Sequence, residues 1–423
     1  MNVSVGLMEG RTAVEVELLG AFRDASGKLY SPGKYQFTSE MTLTPSDPAS
    51  SAFAVPEMTI GIGFHWERQE RQVFRGPLRI IKRGAGLTLI NDVSLEEYVT
   101  SVISSEMSAS CPIELLKAHA VISRSWLAFP SSQRRGGRDK DADGVARSAS
   151  PVGRSLSRRP ATPSHEILRW YGRELHPDFD VCADDHCQRY QGITKAFSPA
   201  ASDAVRATSG EFLRYQGDIC DARFSKCCGG ITERYSTAWE DEDIPYLTSF
   251  YDGPTQGQSI SPETWIRSEP AAYCNTNDTE LLARILPGFD QETVDFYRWR
   301  VEYSPEELAE LIKSKTGVNL GPIQDIQPLD RGPSSRIYRL QITGEYDHVI
   351  IGKELEIRRA LSRTHLYSSA FVAEKEAGRI ILHGAGWGHG VGLCQIGAAV
   401  MADGGKTYRE VLQHYYPGTT VSV

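Results

Sequence analysis

A helix start at Ser94, directly after a predicted strand, constrains the fold of this chain more than any other feature. Ser94 and Glu97 have the spacing of a capping box, in which the serine hydroxyl accepts from a free backbone N–H and the glutamate reaches back. The preceding run GLTLIN predicts the strand. The helix is expected to end near Met107, and its apolar stripe is Leu95, Tyr98, Val99, Val102 and Ile103. Glu106 is the next member of that series, so a carboxyl group is expected to continue the buried face.

The predicted position of Glu106 has a chemical consequence. Burial disfavours the charged form of a carboxyl group, and so does the negative end of a helix dipole, so the pKa of Glu106 is expected to be raised. A carboxylic acid that is still protonated near neutral pH can protonate a glycosidic leaving oxygen. The alternative is an ordinary helix-end glutamate that turns to solvent or pairs with Lys117 or Arg124.

A second helix is predicted from near Ser110 to about Phe129, with Pro112 in its first turn. Lys117 and Arg124 share one face of it. These cations are candidates for holding an acetamido or carboxylate group of a ligand, or for orienting Glu106. A solvated helix face explains them equally well, and a direct contact would lower the pKa of Glu106.

The remaining patterns predict an α+β protein, with a β-rich scaffold that carries the helix pair. Alternating apolar residues indicate a β-rich N-terminal region over 1–75. A core follows over 76–254 and resumes over 346–423. Within it, residues 131–164 are rich in Arg, Ser and Gly and are expected to form a mobile loop. An inserted, mainly helical lobe is expected over 255–345.

Helix signals are sharpest in two later segments. In SPEELAELIKSKTG, Ser304 is a predicted N-cap and Gly317 a predicted C-terminal stop. In the last helix, REVLQHYY, Thr407 and Glu410 have capping-box spacing.

Two histidines and two cysteines lie within one short segment. His176, Cys182, His186 and Cys187 are the ligand set of a closed tetrahedral zinc site. With all four positions filled by protein, such a zinc would be structural and would not activate water. A Cys182–Cys187 disulfide with two incidental histidines is the alternative.

The other cysteines leave more than one interpretation open. One or two disulfides are possible in an exported protein among Cys220, Cys227, Cys228 and Cys274. Cys111 and Cys394 have the character of small buried residues. A cysteine hydrolase with His389 as base is a further, weaker hypothesis.

The glycine-rich run GAGWGHGVG surrounds His389. No frame of it gives G-x-G-x-x-G, and no Gly-Lys-Ser/Thr follows, so nucleotide binding is not expected. Alternating glycines permit a sharp turn or close approach to a ligand, and Trp387 and His389 are candidates for contacting a sugar. A tight structural turn is the alternative.

Composition excludes some functions. The formal charge of −8 and the pI of about 5.8 argue against broad electrostatic binding of nucleic acid. No apolar run approaches the roughly 18 residues that a membrane span requires, so no transmembrane segment is expected. The start of the chain does not have the pattern of a signal peptide.

Four blocks, in this order, resemble the stage II sporulation protein D and amidase-enhancer family (SpoIID/LytB domain). The first is FRG with LINDVSLEEYVTSVISSEM and PIELLKAHAVISRSW, and the second is HPDFDVCADDHCQRYQG. The third is ARFSKCCGGITERYSTAW with PYL, and the fourth is GAGWGHGVGLCQIGA. The chain departs from a minimal member at 131–164, at about 255–345 and in the Cys227-Cys228 pair.

The resemblance implies an exported enzyme of the periplasm or cell envelope that acts on denuded peptidoglycan glycan strands. Glu106 would be the general acid/base of a lytic transglycosylase that cleaves between N-acetylmuramic acid and N-acetylglucosamine and leaves a 1,6-anhydro product. It further implies zinc on the His/Cys segment, a catalytic role for the helix pair, and a long glycan-binding cleft lined by Lys117, Arg124, Tyr190, Ser225 and His389. The alternative function is a non-catalytic, glycan-binding enhancer of a cell-wall amidase, an N-acetylmuramoyl-L-alanine amidase.

Overall fold

Helices and strands are mixed in the computed structural model, which describes residues 1–63, 67–136, 165–173, 176–254, 260–288, 290–292 and 295–423. Of the residues that the structure describes, helices make up 25% and strands 34%, which agrees with the predicted α+β class.

The N-terminal region forms two sheets, as the alternating pattern predicts. Its strands are β1 (Asn2–Arg11), β2 (Val14–Leu18), β3 (Phe22–Asp24), β4 (Leu29–Tyr30), β5 (Gly33–Phe37), β6 (Met41–Pro45), β7 (Ala52–Ile60), β8 (Arg68–Arg75), β9 (Leu78–Arg83) and β10 (Gly86–Ser94). One sheet has the order β5-β2-β7-β8. The other has the order β12-β1-β10-β9-β6-β3-β4, where β12 (Val181–Cys182) pairs parallel with β1. The β-rich region therefore continues past the expected end at residue 75, to Ser94.

The helix pair follows β10 directly. In α1 (Leu95–Glu106), Ser94 accepts from the Glu97 N–H and the Glu97 carboxylate accepts in return, which confirms the capping box. The second helix, α2 (Ile113–Gly136), packs on α1 and begins three residues later than expected, after Pro112. Its backbone continues to Gly136, so the start of the predicted loop at 131 is wrong. The rest of that prediction, 137–164, lies outside the described residues.

The middle of the chain consists of short elements and long connections. They are β11 (His165–Leu168), α3 (Pro199–Ala207), β13 (Phe212–Tyr215), β14 (Asp218–Ile219), β15 (Phe224–Ser225), α4 (Tyr235–Ala238), α5 (Pro262–Arg267) and α6 (Thr279–Ile285), followed by a 3-10 turn at Asp290–Glu292. The most important pairing for the site is that of β15 with β22 (Leu393–Cys394), in parallel. It places the CCGG segment beside the glycine-rich run.

A second hydrophobic core gathers residues from Trp299 to Leu382. It is built from β16 (Arg298–Tyr303), α7 (Pro305–Thr316), β17 (Ile323–Arg331), β18 (Ile337–Gly344), β19 (His348–Gly352), α8 (Glu354–Ala360), β20 (Phe371–Glu376) and β21 (Arg379–Ala385). The Ser304 cap and the left-handed Gly317 stop of α7 are confirmed. The mainly helical character expected for 255–345 is wrong, because β16, β17 and β18 lie there. Strands β16 and β17 mix exposed polar and buried apolar positions, a weaker pattern than that of the capped helices.

Two helices complete the fold. They are α9 (Gln395–Asp403) and α10 (Tyr408–Tyr415), and β23 (Thr420–Ser422) follows. The capping box of Thr407 and Glu410 is confirmed. Among the described helices, none combines the length and the apolar character needed to cross a bilayer.

Candidate active site and metal clusters

A cavity of about 310 Å³ lies where α1 ends. Its walls come from Glu106, from the turn that carries Arg189, from β15 and from the glycine-rich run. Aromatic side chains supply much of the lining, namely Trp126, Tyr171, Trp239 and Trp387. The predicted apolar stripe of α1 therefore delivers its one carboxyl group to a cavity wall.

Glu106 is buried, with 8% of its surface exposed. Its Oε1 accepts a hydrogen bond of 2.9 Å from the backbone N–H of Arg189. Burial raises the pKa of this carboxyl group, while the charge of Arg189 and the backbone hydrogen bond partly oppose that shift. The raised pKa that the sequence predicts agrees with this direction.

Two cations that the sequence analysis did not single out stand beside Glu106. Arg189 is paired with Asp185. Lys226 donates to the main-chain oxygen of Glu106 at 3.1 Å and lies 2.7 Å from Asp290. Each charge near the acid is thus compensated by a separate carboxylate. These residues carry no helical periodicity, so only their places beside Tyr190 and Ser225 in the sequence could have indicated them.

Lys117 and Arg124 lie elsewhere. The Lys117 ammonium pairs with Glu114 at 2.7 Å and lies above the Tyr408 ring. The Arg124 guanidinium is fully buried and binds Glu96, with its Nη2 2.7 Å from Oε2. Arg124 thereby ties α2 to α1. Neither cation is among the described residues that line the cavity.

The other predicted cleft residues divide into two groups. Tyr190 is a core residue, since its hydroxyl donates to Asn91 at 2.7 Å and its ring stacks on Tyr98. Ser225 and His389 do line the cavity. Within the described part of the chain, the Ser225 hydroxyl has no hydrogen-bond partner.

His389 is held as a neutral imidazole. Its Nδ1 accepts from the Val391 N–H at 3.0 Å, which leaves the proton on Nε2. Burial lowers its pKa well below the usual value, and the charge of Arg223 adds to the effect. The ring also makes a hydrogen bond to the backbone of Phe224, so both nitrogens are engaged, and His389 lines the cavity as a ring packed against Trp239.

The cavity also has an excess of positive charge. Arg173 and Arg223 both pair with one carboxylate, that of Asp221, at 3.0 and 2.8 Å. The guanidinium of Arg173 lies over the Trp126 ring, and that of Arg223 over the Trp239 ring. Two guanidinium groups that share a single carboxylate favour an anionic group on a ligand.

The structure brings together the four predicted zinc ligands, with their ligand atoms within 4.8 Å of one another. His176 Nε2 lies 3.4 Å from Cys187 Sγ, and His186 Nδ1 lies 3.8 Å from Cys182 Sγ and 3.5 Å from Cys187 Sγ. A tetrahedral zinc with nitrogen and sulfur ligands sets such atoms about 3.3–3.8 Å apart, so the set fits the ion.

A second cluster with ligand atoms close enough for a metal ion is fully buried. It consists of Cys228, Asp252, Cys274 and Cys394, and its ligand atoms also lie within 4.8 Å of one another. From the sequence, disulfides are open to two of these cysteines, Cys228 and Cys274, and no pattern connects Asp252 or Cys394 with them. These four residues are distant in sequence, so no spacing rule could have grouped them.

Comparison with known proteins places the acid and the first cluster in one family domain. Residues 83–215 match the family model described as stage II sporulation protein, and residues 233–392 match a domain of unknown function, DUF8618. The chain is 27% identical to stage II sporulation protein D of Bacillus amyloliquefaciens over 334 residues, which are 79% of this chain and 75% of that protein. It is 26% identical to the amidase enhancer of Bacillus subtilis (strain 168) over 235 residues, 52% of this chain and 32% of the relative. The resemblance expected from the sequence is confirmed.

Proposed function

We propose that this chain, which carries a stage II sporulation protein domain over residues 83–215, is a peptidoglycan lytic transglycosylase. Its substrate would be glycan strands stripped of their peptides. The observation that carries the proposal is the buried carboxyl group of Glu106, with a raised pKa, at the wall of a cavity lined by aromatic rings.

Glu106 would act first as an acid and then as a base. Its proton passes to the oxygen that links N-acetylmuramic acid to N-acetylglucosamine, and the bond from the muramic C1 to that oxygen breaks. The muramic 6-hydroxyl attacks C1 and gives its proton to the Glu106 carboxylate, which closes the 1,6-anhydro ring. No second carboxylate is needed as nucleophile, which suits a site where Asp185 and Asp290 are paired with cations.

Other cavity residues would position the sugar. Rings such as Trp239 and Trp387 offer apolar faces for a pyranose, and the His389 ring belongs to the same wall. The Ser225 hydroxyl can bond to the substituents of the sugar. The guanidinium groups of Arg173 and Arg223 match the free lactyl carboxylate of a muramic acid without its peptide. We assign Lys117, Arg124 and Tyr190 to the scaffold rather than to the substrate.

Zinc would be held by His176, Cys182, His186 and Cys187, and its role would be structural. When bound, it cross-links this segment and, with four protein ligands, has no position for a reacting water. The segment ends two residues before Arg189, whose N–H contacts Glu106. Binding of zinc would thus fix the direction in which the acid points.

The alternative function is an enhancer that binds glycan without cutting it and stimulates a separate cell-wall amidase. One relative is named an amidase enhancer. In either function the chain would be exported to the cell envelope, where peptidoglycan lies.

The two functions differ in their products. Denuded glycan strands incubated with the protein should release 1,6-anhydromuramyl fragments, detected by mass spectrometry. Glu106→Gln should abolish their release, and Glu114→Gln, which changes an acid on α2 outside the cavity, serves as the matched control. Binding of glycan by the wild type without such fragments would reject the enzyme and support the enhancer.

A further inference from the structure

The buried cluster of Cys228, Asp252, Cys274 and Cys394 has the composition and geometry of a second metal centre. Cys228 Sγ lies 3.6 Å from Cys274 Sγ and 3.1 Å from Asp252 Oδ2. Zinc bonded to thiolates and a carboxylate in a tetrahedron separates its ligand atoms by about 3.5–3.8 Å, so small adjustments would accommodate the ion. We propose that these four side chains bind one structural zinc ion, independently of the His/Cys cluster.

Backbone N–H groups already point at two of the sulfur atoms. Cys228 Sγ accepts from the Gly230 N–H at 3.3 Å, and Cys394 Sγ accepts from the N–H groups of Cys228 at 3.2 Å and Gly397 at 3.4 Å. Such donors stabilise thiolates rather than thiols. Cys394 is also the N-cap of α9, where the helix dipole favours negative charge.

Glycine is required where α9 approaches the cluster. A Cβ atom on Gly397 would lie 2.8 Å from Asp252 Oδ2 and 3.4 Å from Cys394 Sγ, so a larger residue would push the helix end away. Gly229 and Gly230 have φ of +81° and +100°, values that allow the chain to turn back so that the Gly230 N–H reaches the preceding cysteine.

The carboxylate has the outer contacts that metal ligands usually have. Asp252 Oδ1 lies 2.9 Å from His414 Nε2, and Oδ2 accepts from the Tyr415 hydroxyl at 3.1 Å. These contacts orient Asp252 from α10, as partners outside the ligand set do at metal sites. Zinc binding would release the three thiol protons to solvent.

A disulfide of Cys274 with Cys228, or with the neighbouring Cys227, which also contacts Cys274, is the competing state. It would use at most two of the four side chains and would leave Cys394 and Asp252 buried next to it. Zinc accounts for the convergence of all four, and for the hydrogen bonds to Cys394 that a disulfide would not need.

Such an ion would join three parts of the chain near the Glu106 cavity: the segment of Cys228, the segment from Asp252 to Cys274, and the start of α9 at Cys394. Cys228 follows Ser225 and Lys226, which line the cavity, and Cys394 precedes Gln395, which lines it too. Asp252 and Cys274 belong to the 233–392 domain match, whereas Cys228 and Cys394 flank it. The ion would therefore link residues inside that domain match to the segments on either side of it, next to the cavity.

Metal counting on the full-length chain tests this inference. Protein produced with added zinc and purified under reducing conditions should hold about two zinc ions per chain, one for each cluster of four ligands, by elemental analysis. Cys274→Ser should retain one, the double variant Cys182→Ser and Cys187→Ser should also retain one, and Cys111→Ser, which changes a buried cysteine outside both clusters, should retain two.

The double variant provides a measurement that does not depend on the folding of Cys274→Ser. Its remaining ion, replaced by cobalt(II), should give the charge-transfer absorption of thiolate ligands. The inference is overturned if the double variant holds no metal, if Cys274→Ser holds as much as the wild type, or if peptide mapping finds Cys228, Cys274 or Cys394 in a disulfide in the fresh protein.

Discussion

Two buried glutamates, Glu106 and Glu233, differ in what their surroundings allow. Both are largely hidden, with 8% and 0% of their surface exposed, and burial raises the pKa of each. Glu106 faces a cavity. Glu233 accepts from the Arg234 N–H at 2.8 Å and from the Ser334 N–H and hydroxyl at 3.1 and 2.7 Å. A raised pKa alone therefore does not identify a catalytic acid, because the carboxyl group must also be free to reach a ligand.

The largest expected effect is that of Glu106→Gln on turnover. The amide oxygen can still accept from the Arg189 N–H, so the fold should persist, but the group can no longer donate the acid proton. Release of 1,6-anhydro fragments should fall by about 10²–10⁴-fold. Initial rates by mass spectrometry, with far-UV circular dichroism as a check of folding, provide the measurement. A variant with more than about a tenth of wild-type turnover would contradict the role of Glu106.

Glu233→Gln should give the opposite result. The amide NH₂ group cannot accept the hydrogen bonds that one carboxylate oxygen now accepts, so buried donors lose their partner. The free energy of unfolding should fall by about 1–3 kcal/mol in urea titrations. Turnover of the folded fraction should change little. If turnover instead collapses at unchanged stability, the distinction between the two glutamates is wrong.

The pH dependence of turnover and of stability should report on Glu106. The acid form of Glu106 is the active one, so turnover should decline as pH rises through its raised pKa. The folded state also holds this proton more tightly than the unfolded chain does. Its contribution to stability is therefore present below the unfolded value of 4.5 and is lost as pH rises through the folded pKa.

The Glu106→Gln variant has no titrating group at this position, so it should not show this loss of stability. Relative to the variant, the wild type should lose stability as pH rises from the unfolded value of 4.5 through the folded pKa, at about 1.4 kcal/mol per pH unit. Urea unfolding across this range measures the difference. Equal slopes for the two proteins would mean that burial does not raise the pKa of Glu106.

Local signals predicted much of the fold around the acid. The capping boxes of Ser94, Ser304 and Thr407 are set by residues three apart, so the sequence contains them completely. The strands β16 and β17 were missed because their burial depends on sheets that bring distant segments together, and no single segment shows this.

The candidate site was likewise predictable only where it depends on residues close together in sequence. Glu106 continues a helical stripe, and the first cluster lies within twelve residues of sequence, so both could be found. Arg189, Lys226 and Asp290 meet only through tertiary packing. For Lys117 and Arg124, helical periodicity correctly placed both on one helix, but it could not tell which neighbour each would pair with.

The smallest expected effect is that of Lys117→Met, which tests the assignment of Lys117 to the scaffold rather than to the substrate. Lys117 pairs with Glu114 near the surface, where side-chain exposures are 23% and 24%. The loss of stability should stay within about 1 kcal/mol, and turnover should be unchanged.

Lys226→Met is the informative contrast, because the charge of Lys226 lowers the pKa of Glu106. Without it, the decline in turnover should move to higher pH. A similar movement in Lys117→Met would instead place that cation near the acid.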